Sequence, residues 1–159
     1  MISWLTGTTL GKLIATFCIS MVPIIELRGG LPYGIALGLD YPLALAAAVL
    51  GNMLPVPFIV FFIEKIFAWM RKNMPRLDGL VAKMEEKGES KQDVIEKYGA
   101  LGLIILVAIP LPGTGAWTGS LVAALLKMKP AKAFPCIFAG VVIAAGIMSV
   151  VTYGVIKLV

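Results

Sequence analysis

Two apolar stretches of this chain are each interrupted by a short cluster of glycine and proline, and that pairing limits the available folds more than any other feature. The first interruption lies between Met21 and Gly34 and carries two charges, Glu26 and Arg28; the second lies between Ile109 and Gly119 and carries none. A broken helix cannot face lipid, because every backbone N–H and C=O in the hydrocarbon layer needs a partner. It is tolerated where protein or a polar cavity covers it, and a matched pair of breaks points to an ion or substrate pathway. The setting is that of a membrane protein. Of the 159 residues, 59% are hydrophobic and 14% charged, against about 45–50% and about 25% in soluble domains.

The charges are segregated as well as sparse. Thirteen of them fall between Arg71 and Lys97, which leaves both flanks almost neutral. The N-terminal segment has no basic region ahead of its apolar run and no clean small-residue cleavage site, so it is expected to be retained. Cys18 and Cys136 sit within apolar runs, as small core residues do, with neither disulfide nor metal spacing. The chain has no histidine, which removes His-based triads, zincin motifs and the usual proton shuttle. No metal, cofactor or enzymatic activity is expected. The net charge of +5 comes from basic residues beside apolar segments, where they orient a membrane protein and meet anionic headgroups. Nucleic acid is not an expected partner.

Apolar runs divide the chain into three parts. Residues 1–73 form a first membrane repeat, with a re-entrant loop around 23–34 and a span over 42–70. The Glu26–Pro32 stretch is its break, and Pro55 and Pro57 should kink the span, since each removes a backbone donor and crowds the preceding turn. Residues 74–98 form an amphipathic cytoplasmic hairpin. Leu77, Leu80, Val81 and Met84 follow helical spacing, Gly88 is a stop signal, and Ser90-Lys91-Gln92-Asp93 resembles a capping box for a short second helix. Its mixed charges suit a solvated cap. Residues 99–159 form a second repeat, with a re-entrant loop around 109–119 and a span over 132–157. Both long runs can cross a hydrocarbon core, which takes about 20 residues.

The halves share one grammar: short apolar piece, Gly/Pro break, short apolar piece, proline-started turn, long span. If each broken segment enters and leaves on one side, ten Lys/Arg collect on the side of the hairpin and of the Lys127–Lys132 turn. Only Lys12 and Lys157 remain opposite. The positive-inside rule then puts the hairpin in the cytoplasm and both termini outside. The predicted fold class is an all-α integral membrane protein of the cytoplasmic membrane of a prokaryote. It is an inverted repeat of re-entrant helical hairpin plus transmembrane helix, with its loop tips meeting near the midplane. Two spans and two hairpins have little area to enclose those tips, so a homodimer is expected, with Gly30/Gly34/Gly38 or Ala44–Gly51 as packing faces.

An ionisable group at bilayer depth costs at least about 2.5–3.5 kcal/mol and marks a functional site by default. Glu26 and Arg28 are therefore the first candidates, either facing one cavity from an extended loop or locking that loop as an internal ion pair. Gly29, Gly30 and Pro32 complete the first loop. In the second, Pro110, Pro112, Gly113 and Gly115 free backbone groups, while Thr114 and Thr118 supply hydroxyls that could contact ions or substrate. Trp117 walls the cavity or packs at an interface. Asn52, beside Gly51 and ahead of Pro55, is either interhelical glue or a substrate contact.

Glu26-Leu27-Arg28-Gly29-Gly30-Leu31-Pro32 and Pro110-Leu111-Pro112-Gly113-Thr114-Gly115-Ala116-Trp117-Thr118-Gly119 resemble the two signature loops of the small multidrug export proteins. The resemblance implies a proton- or ion-coupled secondary exporter of small amphipathic molecules. The layout is also similar to the DedA superfamily, which implies as an alternative a translocase for polyprenyl phosphate or phospholipid. The second loop here lacks the arginines of that pattern. A membrane assembly factor is the remaining alternative.

Overall fold

Thr8 starts the first helix, its hydroxyl accepting the Gly11 N–H at 3.1 Å and satisfying one donor that a helix start leaves free. That helix, α1 (Thr9–Met21), ends where Val22 turns extended ahead of Pro23, as residues before proline do. The computed structural model describes residues 7–111 and 113–158, and among these all regular structure is helical. α2 is Glu26–Ala36, α3 Tyr41–Met53 and α4 Pro55–Asn73. A 3-10 turn, Pro75–Leu77, leads to α5 (Asp78–Glu89) and α6 (Gln92–Tyr98). α7 (Ala100–Ala108), α8 (Ala116–Leu125) and α9 (Pro130–Leu158) follow. Two helices are long and apolar enough to cross a membrane: the bent α3–α4 unit, Tyr41–Asn73, and α9. The bend falls at Leu54, immediately before Pro55, as the prolines predict.

Three local expectations change. The first break is confined to residues 22–25, and the Glu26–Pro32 segment is helical despite Gly29, Gly30 and Pro32. An extended glycine-rich segment in an apolar interior would leave its peptide groups unpaired, whereas a helix pairs them internally. Gly88 does not stop α5. It is buried inside the helix, where a Cβ would come within 2.5 Å of Leu125 Cδ1. Ser90 donates to the Lys87 carbonyl at 2.9 Å, closing the end of α5, and α6 starts without a side-chain cap.

α1 packs on α3 and α2, and α7 packs on α9, while α8 crosses to α4 and α2 reaches α9. The two long helices run antiparallel. Tyr41 at the start of α3 donates to Ser149 Oγ at 2.7 Å and stacks edge-on with Tyr153. At the other end Phe61 of α4 meets Phe134 of α9 with ring centroids 5.7 Å apart. The small-residue faces assigned to a dimer are spent inside the chain. A Cβ on Gly30 would lie 1.8 Å from Ser20 Oγ, one on Gly34 2.7 Å from Thr16 Oγ1, and one on Gly51 2.3 Å from the Phe17 carbonyl. Such close approach of backbones is what small residues provide between membrane helices. Of the cysteines, Cys136 is buried and Cys18 is exposed on α1.

Candidate functional site

The two breaks meet, and the chain bends sharply to make them do so. Ile24 and Glu26 adopt positive φ of 80° and 49° in the first break, and Gly113 and Gly115 adopt 84° and 112° in the second. A β-branched residue such as Ile24 at positive φ is a backbone outlier, and such outliers cluster at functional segments.

Glu26 is only 4% exposed. Its Oε1 accepts the Trp117 N–H at 3.1 Å, which sets the carboxylate against the first turn of α8. Unpaired N–H groups and the helix dipole favour negative charge there. Gly115 makes that approach possible, since a Cβ on it would stand 2.0 Å from Glu26 Oε2. Arg28 reaches the same break along a different line. Its guanidinium donates to the Leu111 carbonyl, to the Ile109 carbonyl at 3.3 Å and to Thr114 Oγ1 at 2.8 Å. The Thr114 hydroxyl lies 2.6 Å from the Ile109 carbonyl, to which it donates. Arg28 and Thr114 thus gather the carbonyls of the turn that follows α7, which also accept the Leu111 and Thr114 N–H groups, a planar fork being suited to several acceptors at once. A third tie runs the other way, from the Trp117 indole N–H to the Met21 carbonyl at 3.0 Å.

Glu26 and Arg28 therefore do not form the internal ion pair that was the alternative to their facing one cavity; both line a single cavity. Among the described residues the ion pairs are those of Arg71 with Asp78 and Glu85. Each of the two loop charges binds the opposite break instead. They diverge because residues two apart on a helix do not share a face.

Beneath these contacts lies a cavity of about 310 Å³. Of the residues singled out from sequence, Glu26, Arg28, Gly113, Thr114, Trp117 and Thr118 line it. Gly115 stands behind Glu26. Gly29 packs on Ile25, Gly30 on Ser20, and Pro32 lies within α2. Pro110 is partly buried in the second break, away from the cavity wall. Asn52 is buried in α3, its Oδ1 has no hydrogen-bond partner among the described residues, and it is not among the residues that line the cavity. Pro112 lies outside the described residues.

Sequence reasoning missed the apolar wall, formed by Ile59 and Ile63 of α4, Leu121 of α8, and Leu80 and Met84 of α5, with Lys87 at its rim. The signal was present in the spacing. Ile59/Ile63 and Leu80/Met84/Lys87 recur at three and four residues and so share helix faces. α5 accordingly packs on α4 and α8 with Val81 fully buried, where a solvated cap was expected.

Residues 26–147 match the model of a family described as "Putative small multi-drug export protein". No curated protein and no solved structure matches the chain.

Proposed function

The chain belongs to the small multi-drug export protein family, and on that premise we propose that it is an integral membrane exporter whose substrate binds in the cavity between the two breaks. The observation that carries this reading is the crossed pair of contacts. Glu26 of α2 sits on the start of α8, and Arg28 holds the carbonyls of the second break. Ionisable side chains at such depth mark pathways, and breaks that meet in protein suit a transport site.

Helix lengths support re-entrant hairpins. α1, α2, α7 and α8 have 13, 11, 9 and 10 residues. At about 1.5 Å per residue none reaches across a core of about 30 Å. The exchange of arms, with α8 on α4 and α2 on α9, supports an inverted repeat. Gly88 against Leu125 puts the charged hairpin beside the Lys127–Lys132 turn, in favour of one basic, cytoplasmic side. Transport is secondary and coupled to protons through Glu26, with no covalent chemistry, and the working unit is a homodimer in the cytoplasmic membrane of a prokaryote.

The test is a proteoliposome assay with pyranine trapped inside and an imposed pH gradient. It uses ethidium and 8-anilinonaphthalene-1-sulfonate as amphipathic probes of opposite charge. Wild-type protein should couple movement of at least one probe to proton flux, and Glu26→Gln, which keeps the shape but cannot titrate, should abolish the coupling. A folded, inserted Glu26→Gln protein that couples as the wild type does would refute the assignment.

A further inference from the structure

The cavity has a third charged wall that neither break supplies. Lys87 reaches it from α5, some sixty residues along the chain from Glu26. A Cβ on Gly113 would stand 3.4 Å from Lys87 Cε and 3.7 Å from its Nζ, so the ammonium end runs directly over the second break. Lys87 and Glu26 line the same cavity.

The charges around the space do not balance. Glu26 is engaged by the Trp117 N–H and the start of α8. Among the described residues the hydrogen-bond acceptors of Arg28 are neutral: the Leu111 and Ile109 carbonyls and the Thr114 hydroxyl. The ion pairs of the described residues include neither Arg28 nor Lys87. Two cations thus face one carboxylate across a space with apolar walls, which concentrate their field. An anionic group would complete the set, and a third cation would meet repulsion.

Beside this space lies an apolar one. A groove of about 330 Å³ shares Ile59, Ile63 and Trp117 with the cavity and is otherwise lined by side chains such as Phe58 and Ile66. Both of these are exposed on α4, one of the two helices apolar enough to cross a membrane. A charged chamber and an apolar groove that share Trp117, Ile59 and Ile63 in their walls suit the head and the tail of one molecule.

We propose that the substrate is a single-chain amphipathic anion drawn from the bilayer, its head held by Arg28 and Lys87 and its tail laid past Trp117 along Ile59 and Ile63. This rests on the cavity being the transport site, and it makes Lys87 a substrate-binding residue at the cavity rim.

The experiment uses protein of the full given sequence in zwitterionic nanodiscs with Trp4→Phe and Trp69→Phe, so that Trp117 is the one tryptophan, excited at a wavelength that tyrosine does not absorb. Bromine at the end of an alkyl chain quenches on contact. The probes are 12-bromododecyl phosphate, 12-bromododecyltrimethylammonium, 12-bromododecyl maltoside and a brominated phosphatidate. The phosphate should quench Trp117 saturably and at lower concentration than the others. Lys87→Gln should raise its half-saturating concentration about tenfold, and Lys87→Arg should restore it to within about threefold. Preference for the ammonium probe, or indifference to Lys87→Gln, overturns the anion assignment and leaves the cavity as the transport site. Equal quenching by phosphatidate overturns the single-chain assignment. Absence of saturable quenching by every probe overturns the cavity reading itself, and this proposal with it.

Discussion

Gly115→Ala is expected to be far more damaging than an added methyl suggests, and the structure gives two separable reasons. Gly115 has φ 112° and ψ −170°, a region essentially restricted to glycine, and forcing an L-residue into it costs about 1–3 kcal/mol. The new Cβ would also stand 2.0 Å from Glu26 Oε2 and 2.8 Å from its Cδ, so the carboxylate must leave the Trp117 N–H. A hydrogen bond to a charged group contributes about 1.5–3 kcal/mol. Together these give about 2.5–6 kcal/mol, a large share of a typical net stability of about 5–15 kcal/mol. The measurement is unfolding by SDS titration in mixed micelles, with Gly146→Ala as control. Gly146 lies within α9 with nothing within 4 Å of its would-be Cβ, and alanine there should stabilise by about 0.5–1 kcal/mol. Combining Gly115→Ala with Glu26→Ala removes the collision but keeps the backbone strain. The double variant should therefore be more stable than the sum of the singles by over about 1 kcal/mol. A Gly115→Ala protein within about 0.5 kcal/mol of wild type would refute the reasoning, because it would mean Glu26 does not occupy the start of α8.

Arg28→Lys should destabilise by about 1.5–3 kcal/mol in the same titration, since one ammonium cannot serve the Leu111 and Ile109 carbonyls and Thr114 together. Because Glu26 and Arg28 bind different partners, Glu26→Gln with Arg28→Gln should not recover the stability lost by either change; full recovery would restore the ion-pair reading. Gly30→Ala should cost about 1–3 kcal/mol through overpacking against Ser20, and Ser20→Ala should relieve part of it; no loss would show that α1 and α2 do not cross there. In a Cys18→Ser background, cysteines placed at Lys83 and Lys129 should both react with impermeant maleimide only from the cytoplasmic side. Labelling of the Lys129 position from outside would overturn the re-entrant arrangement of the second half.

Much of the candidate site was legible as residue types. Glu26, Arg28, Thr114, Trp117 and Thr118 stand out from sequence because charges, hydroxyls and a tryptophan beside a broken apolar run have few ordinary explanations. Their partners were not legible. Nothing in the order of residues says that Arg28 would gather the carbonyls of Ile109 and Leu111 and not pair with a carboxylate two positions away. Nothing there says that Asn52 would be buried in α3 outside the cavity lining. The apolar wall was hidden for another reason, since Ile59, Ile63, Leu80 and Met84 look like any core-facing helical stripe.

The sequence alone determined the membrane setting, the two breaks, the bend before Pro55 and the gathering of charge between Arg71 and Lys97. Each of these follows from local chemistry: apolar content, the missing N–H of proline, the run length of a helix. The tertiary structure decided the rest. It made Glu26–Pro32 a helix against its glycines and proline, carried α5 through Gly88, and laid Lys87 over a cavity formed by residues far away in the chain. These outcomes depend on contacts such as Glu26 with Trp117, 91 residues apart. Local propensities of about 1 kcal/mol per glycine give way when an apolar interior requires every peptide group to be paired.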